Sequence, residues 1–577
     1  MAWWTWGKWP DVLIDFGREL YVPWRLTQGD VLYRDIAVFN GPLSAYANAL
    51  AFRLFGVGVW TLVACNLAVV CGVLALLYAL VRQMAGRAAA TSGCLAFVAL
   101  FGFGQVVRTG NYNWVCPYAH ELSHGIALSL LSIYLLVQYG RRGALWAAAG
   151  AGLALGLVVL TKAEVSLAAA LAVPTGLGLL LWAERPSRGR IAAVLGVFVA
   201  GVVVPPLVAC GLLATAMPVG QAVRGTLGTW AYVVEGLARG EFGGQVFYRW
   251  QMGTLDLGAS LGRLAAWSGG YAVVAVVGCV LAMALGRVRR SRVWIVVVVF
   301  LATSWLALTL GVKWQQAAMP LPVVLLVLGG VWAVAFVRRP GERTGLAVRL
   351  AMAVFALALL AKMILNVRLY HYGFALAMPG TVLVVAAVVG WVPAWLTRRG
   401  ACGAVFRAVA IALVMVVATR QLAACHDQLR FKTQQVGQGA DAFLADARGR
   451  HVAATLAEIE QRVGEADTLA AFPEGVMLNY LGRRRCPTPF INFMPTEVVR
   501  FGEERMLSAF EAKPPKWVAL VHKSTAEFGV PFFGRDYGKQ LGAWLRAHYR
   551  PVWQAGAVPL DGYEFGIQLL ERVREGE

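Results

Sequence analysis

The sequence predicts a mainly α-helical, polytopic membrane protein that ends in a soluble α/β domain, and three observations carry this. Of the 577 residues, 59% are hydrophobic and only 14% charged, against roughly 25% charged in a soluble globular chain. Twelve apolar runs lie within residues 1–423, most of them near the ~20 residues that a helix needs to cross a bilayer. Charge is divided unevenly: residues 424–577 hold 19 basic and 19 acidic residues, so the 52 Lys+Arg and 31 Asp+Glu of the chain leave 33 and 12 for residues 1–423. The net charge of +21 alone would suggest nucleic acid. Because the excess sits wholly in the apolar part, no nucleic-acid partner is expected.

The expected spans are 57–81, 91–107, 120–139, 144–161, 164–183, 191–217, 270–286, 293–311, 317–337, 348–365, 374–396 and 405–422. Between alternate spans, short links carry Arg82 and Arg87; Arg141 and Arg142; Arg185, Arg188 and Arg190; Arg287 to Arg292; Arg338 to Arg349; and Arg398 to Arg407. They hold 18 arginines and two acids, Glu184 and Glu342. Lys and Arg in short loops mark the cytoplasmic side, so all six links belong there. The other ten acids, Asp11, Asp15, Glu19, Asp30, Asp35, Glu121, Glu164, Glu235, Glu241 and Asp256, then fall at or near the opposite face. An even number of crossings brings the N-terminal segment, 1–56, and the soluble domain, 424–577, to that outer side, where they can share one site.

Met1 to Pro10 (MAWWTWGKWP) is too short to span; its tryptophans resemble an aromatic belt at a membrane interface. An upstream first helix missing from the sequence would explain this start, with a translocated tail as the alternative. Nine cysteines include no Cys-x-x-Cys pair; only Cys116, Cys425 and Cys486 fall where an oxidising compartment would reach them.

The first outer segment, from Asp11 to Leu43, mixes five acids with Arg, Trp and Tyr directly before a span. Helical spacing from Asp15 to Glu19 would put both carboxylates on one face, and Gly29, Asn40, Gly41 and Pro42 mark turns. A solvated loop with turn-forming aspartates is the plain alternative. The second outer segment contains His120-Glu121-Leu122-Ser123-His124, a literal H-E-x-x-H, which on a helix sets two imidazoles one turn apart with the Glu as base of a zinc protease. No third ligand stands at a familiar spacing. Thr161-Lys162-Ala163-Glu164 sets a cation and an anion at a tight outer turn, a costly pair unless it faces protein or water. The stretch 218–267, with Arg224, Glu235, Arg249 and Asp256, is too polar for a comfortable span and is expected along the outer interface. Asn366 to Phe374 adds Arg368 and His371. The face thus offers carboxylates, His120, His124, His371 and Glu164 as substrate or metal candidates, and Lys162, Arg249 and Arg368 as cations for phosphate oxygens. Residues 424–577 carry strand-like Trp517 to Val521 and helical Ala453 to Arg462 and Tyr537 to Arg546, with no Gly-rich phosphate loop.

Asp15, Gly29-Asp30-Val31-Leu32-Tyr33-Arg34-Asp35, Asn40-Gly41-Pro42-Leu43 and Leu54-Phe55-Gly56, followed by Thr161-Lys162 and Pro473-Glu474-Gly475, resemble the GT-C superfamily of polytopic glycosyltransferases, most of all the family 39 and lipid A aminoarabinose transferase type. The resemblance implies thirteen spans, a C-terminal periplasmic domain, a bacterial inner membrane, a polyprenyl-phosphate-linked sugar donor and inverting transfer to a lipid, glycan or protein acceptor. It also implies an essential carboxylate in the first loop, which Asp15 matches best. Asp35 corresponds more loosely to a second acidic position, where relatives often carry Glu-Lys-Pro-Pro; that sequence is absent here, so the resemblance fixes neither metal binding nor a role for Asp35. Glu121 occupies the region where relatives carry another acid, which makes H-E-x-x-H coincidental. No cofactor is called for, and a divalent metal stays open. A transporter is the third class; its midplane charges are what this sequence lacks.

Overall fold

The computed structural model describes residues 1–13, 15–239, 246–286, 292–310 and 313–573; Glu241 and the arginines Arg287, Arg289 and Arg290 lie outside the described residues. Among these, nine helices are long and apolar enough to cross a membrane, and three shorter apolar helices accompany them, Arg87–Gly102, Leu145–Val159 and Val293–Thr309. They fall on the twelve expected stretches, with shifted ends. The helix expected at 270–286 begins at Leu257, so less of the outer stretch is interfacial than predicted; the rest folds as short helices Val219–Leu227, Thr229–Arg239 and Val246–Met252. The helix Arg343–Leu360 gives way to a 3-10 turn at Ala361–Met363, which puts Lys362 at a helix end rather than within a span. The last apolar helix, Gly403–Leu429, runs past the predicted domain boundary at 423.

Apolar side chains such as Leu207, Val276, Trp294 and Trp305 stay exposed. A bilayer solvates them as water would not, while the helix satisfies its own backbone. Four of the arginine links meet one another at one end of the bundle. Arg141 donates to Gln83 at 3.1 Å, Arg349 to the Met84 carbonyl at 3.0 Å, and Arg190 to the Gly143 carbonyl.

The opposite end carries the first outer segment, folded as helices Phe16–Thr27 and Leu43–Phe55, and the soluble domain beyond Leu429. In that domain β1 (Gln434–Val436) and β2 (Phe443–Ala445) form an antiparallel ribbon. β3 (Leu469–Phe472), β4 (Trp517–Val521), β5 (Tyr549–Gly556) and β6 (Gly566–Arg572) form one sheet in the order β3-β4-β6-β5, with β3 and β4 parallel and the other pairs antiparallel. Phe472, Phe493, Phe510, Phe533 and Trp544 fill the core on one face of the sheet.

The N-terminal segment is clamped to this domain. Lys432 donates to the carbonyls of Lys8 and Pro10, both at 2.7 Å, and Arg448 pairs with buried Asp11 at 2.6 Å. Trp9 is fully buried, Trp6 stacks on Trp60 at 5.0 Å while half exposed, and Trp3 is wide open. Of the four tryptophans, Trp9 is thus a packing residue, while Trp3 and Trp6 remain exposed. All nine cysteines are free thiols.

Candidate active site

The site is built where the first outer segment meets span ends and the soluble domain. Asn40, Gly41 and Pro42 form the turn that leads into the helix Leu43–Phe55. The Gly41 amide donates to the Thr161 carbonyl at 2.8 Å and the Leu43 amide to the Leu160 carbonyl at 3.1 Å. A Cβ on Gly41 would lie 2.2 Å from the Leu160 oxygen, so only glycine lets the loop seat on the turn that presents Lys162.

Asp15 stands at the N-cap of the helix Phe16–Thr27 in the left-handed region, φ 52 and ψ −20. It is therefore half outside the helix that the Asp15–Glu19 spacing predicts. The two carboxylates still share a partner: Arg18 lies 3.3 Å from Asp15 and 3.4 Å from Glu19. Buried Glu19 continues to His120 Nδ1 at 2.8 Å, which also faces the Asn48 amide at 3.0 Å. Burial alone would raise the Glu19 pKa; the His120 hydrogen bond and charge, with Arg18, outweigh it and hold it down at about 2. The helix His120–Arg142 begins at Ala119 with φ 49, so His120 and Glu121 sit in its first turn, where the helix dipole favours a carboxylate. Glu121 Oε2 is buried without a hydrogen-bond partner.

The two histidines do lie on one face, with ring centroids 5.4 Å apart, but each ring is turned to the protein: His120 to Glu19 and Asn48, and His124 Nδ1 to the Ser44 hydroxyl at 3.1 Å. Among the described residues no group of three or more His, Cys, Asp or Glu converges as a metal-binding set.

The soluble domain supplies the other wall. The Asp15 amide donates to Glu474 Oε1 at 2.6 Å, and Lys523 lies 3.7 Å from the second oxygen. Burial, reinforced by the Asp15 and Glu497 carboxylates and opposed by Lys523, raises the Glu474 pKa to about 7. Glu497 is buried too, accepts from the Thr496 hydroxyl at 2.6 Å, and is raised by burial. Between the walls lies a cleft, partly open to solvent, whose polar lining comprises Arg18, Glu19, Asn40, Asn48, Glu121, Asn492 and Glu497, with Phe39, Phe490 and Phe501 among its apolar lining.

Cations gather alongside. Glu164 binds Lys362 at 2.7 Å and lies 3.7 Å from Lys162, and both ammonium groups sit over the Tyr372 ring, at 4.7 and 5.5 Å. Burial pulls the Lys162 pKa down, but Glu164, Tyr372 and Glu121 more than reverse it and keep it protonated; Lys162 thus links the cationic and acidic groups. Arg368 is 3% exposed, its guanidinium 4.4 Å from the Trp250 ring centre. Its Nη2 contacts His371 Nδ1 at 3.2 Å, while Nε and Nη1 are buried without partners. Both amide atoms of fully buried Gln251 are likewise unpartnered. Burial, then the charges of Arg368 and Lys362, push the His371 pKa well below its usual value.

The structure thus brings together Asp15, Glu121, His120 and His124 on the acidic side, and Lys162, Glu164, Arg368 and His371 on the cationic side. It does not bring in Asp35, whose carboxylate pairs with Arg34 at 2.7 Å and accepts from the Val31 amide at 2.8 Å. Nor does it bring in Arg249, which is exposed and reaches the Thr254 carbonyl at 3.4 Å. Sequence reasoning gave no site role to Arg18, Asn48, Lys362, Glu474 or Glu497. The one signal among these was Pro473-Glu474-Gly475, present in the resemblance but without a function.

Residues 40–209 match the family described as dolichyl-phosphate-mannose-protein mannosyltransferase, a stretch that holds the Asn40-Gly41-Pro42 turn, Glu121 and Lys162. Similar solved structures include ArnT from Cupriavidus metallidurans bound to undecaprenyl phosphate, with 14% identity over 98% of this chain and 95% of that one and a TM-score of 0.39. The Archaeoglobus fulgidus oligosaccharyltransferase in complex with Zn and sulfate is 10% identical over 89% of this chain and 64% of that one, TM-score 0.47. None of the curated proteins matches the chain by sequence.

Proposed function

We propose that this chain moves a sugar from a polyprenyl-phosphate donor to an acceptor hydroxyl, with inversion, at the outer face of a bacterial inner membrane, and that its C-terminal domain is periplasmic. The observation that carries the reading is the buried guanidinium of Arg368, without a carboxylate partner among the described residues and in contact with His371, whose neighbour Tyr372 lies under the ammonium groups of Lys162 and Lys362. A cation with unpartnered donors suits a phosphate, and the carboxylates suit an attacking hydroxyl.

In this scheme the acceptor oxygen attacks the anomeric carbon from the side opposite the phosphate. The bond from that carbon to the phosphate oxygen breaks, and its electron pair leaves with polyprenyl phosphate. Arg368 and Lys162 stabilise the charge that develops there, and Asp15 takes the hydroxyl proton. Phosphate leaves readily as an anion, so no general acid is needed. Glu121, at a helix N-terminus with one oxygen free, orients the acceptor. Asp35 and Arg249 have no part in the reaction, since their partners lie in their own loops.

The test uses the full chain in proteoliposomes with a panel of undecaprenyl-phosphate-linked hexoses and pentoses, labelled in the sugar, and envelope extract as acceptor. Wild type should transfer label and release undecaprenyl phosphate. Asp15→Asn should fold and bind donor yet lose transfer by about 100-fold or more. A fully active Asp15→Asn would remove Asp15 from the mechanism.

A further inference from the structure

The soluble domain touches the reacting end of the first loop through one short turn. Glu474 follows β3, is 4% exposed, and accepts the Asp15 amide hydrogen through Oε1 at 2.6 Å. That amide precedes the helix Phe16–Thr27 and stands outside its hydrogen-bond ladder, and an unpaired buried amide is rare in folded proteins. Asp15 is a non-glycine residue at φ 52, a conformation that persists only where surroundings hold it. Two residues on, Gly17 lies against the same turn: a Cβ there would come within 2.3 Å of the Met477 nitrogen. The Tyr21 hydroxyl, one helical turn further along, accepts from the Cys486 amide at 2.8 Å. The start of the helix is thus held by the soluble domain as well as by the span that carries His120.

We propose that Glu474 is the positioning residue for Asp15: its hydrogen bond to the Asp15 amide sets the backbone that holds the Asp15 carboxylate against Arg18, which lines the cleft, so the soluble domain is part of the catalytic unit. This rests on the reading of Asp15 as the proton acceptor, and Glu474 itself touches no substrate. The groups around it fit an acceptor role. Lys523 balances its second oxygen at 3.7 Å, and the Asp15 and Glu497 carboxylates act on it through their charges. A glutamine amide oxygen could accept the same bond at the same reach, an alanine could not, and an aspartate is one methylene too short.

The full-length protein in proteoliposomes, assayed with the undecaprenyl-phosphate-linked sugar that wild type uses, separates these cases. Glu474→Gln should keep about a third or more of kcat. Glu474→Ala and Glu474→Asp should lose about 100-fold, the scale of a misplaced reacting group, with donor KM unchanged. Asp15→Asn/Glu474→Ala should be no slower than Asp15→Asn. The proposal is overturned if Glu474→Ala or Glu474→Asp retains kcat, if the loss appears in KM instead, or if Glu474→Gln is as impaired as the alanine variant. Should the alanine variant fail to fold, Gln against Asp still decides. Full activity in Asp15→Asn would overturn the reading of Asp15 and this inference with it, whereas an inactive Asp15→Asn beside an active Glu474→Ala overturns the positioning role alone.

Discussion

Replacing Arg368 by methionine should move stability and donor affinity in opposite directions. The guanidinium is 3% exposed and has no carboxylate partner among the described residues. What holds it is the face of Trp250 at 4.4 Å and the contact with His371 at 3.2 Å. A desolvated cation–π contact contributes about 2 kcal/mol, whereas burying an ion without its counter-charge costs several kcal/mol. Methionine fills a similar volume without that cost, so Arg368→Met should be at least as stable as wild type. With donor bound, the unpartnered Nε and Nη1 each gain a charge-assisted bond of about 1.5–3 kcal/mol, together about 3–6 kcal/mol. The substitution should then weaken undecaprenyl phosphate binding by about 10²–10⁴-fold. The assay is thermal unfolding of detergent-solubilised protein with and without undecaprenyl phosphate. At about 100 times its Kd the lipid should stabilise wild type by about 2.7 kcal/mol, and at the same concentration it should leave Arg368→Met unmoved. Arg368→Lys should also fall short, since an ammonium cannot fill the fork. Binding of Arg368→Met within about threefold of wild type would refute the assignment of this arginine to the phosphate.

Three further outcomes are expected. Glu474 titrates at about 7 in the folded chain against an ordinary value of 4.5, so the folded state holds the extra proton between these values. Its contribution to stability is therefore largest below the lower value and declines as pH rises through the upper one, by up to about 3 kcal/mol; denaturation at about pH 5 and about pH 8 should show this slope in wild type and lose it in Glu474→Gln, and an unchanged slope would remove Glu474 as its source. Arg448→Met leaves Asp11, 1% exposed and 2.6 Å from the guanidinium, without its main counter-charge and should cost about 3–5 kcal/mol, with Asp11→Asn/Arg448→Met recovering part of it; a single variant as stable as wild type would contradict this. Gly41→Ala drives a Cβ to 2.2 Å from the Leu160 oxygen, shifts the turn that presents Lys162, and should lower transfer by about 100-fold while the soluble domain keeps its circular dichroism; normal transfer would mean that the turn can yield.

The spans were legible because a bilayer leaves a backbone few options, and long apolar runs separated by arginines state both the helices and their alternation. The site was legible only where its residues are neighbours in sequence. His120 and His124 do share a face, as their spacing says, but their partners Glu19, Asn48 and Ser44 come from segments roughly 70 to 100 residues away, and that pairing is invisible to a motif. Lys362 was hidden inside an apolar run, because a hydropathy window cannot see that the regular helix ends at Leu360. Asp35 and Arg249 were chosen for charge and location, yet each is satisfied within a few residues of itself. Glu474 lies 459 residues from Asp15, a separation over which spacing carries no information.

The two groups of charges are held by different parts of the molecule, and this divides their roles. Lys162, Glu164, Lys362, Arg368 and Glu121 all stand at or near the ends of membrane helices, so the bundle itself fixes them. Asp15 stands on a short helix that leans on the soluble domain through Glu474, Met477 and Cys486, with Asp11 clamped by Arg448 on its other flank. A displacement of the soluble domain would therefore change the distance from Asp15 to Glu121 while leaving the phosphate cations in place. Under the proposed mechanism, donor binding would belong to the bundle, and the alignment of the proton acceptor to the docking of the two parts. Substitutions at the docking surface should then act on kcat and those at the cations on donor KM, a separation that a site built wholly within the spans would not produce.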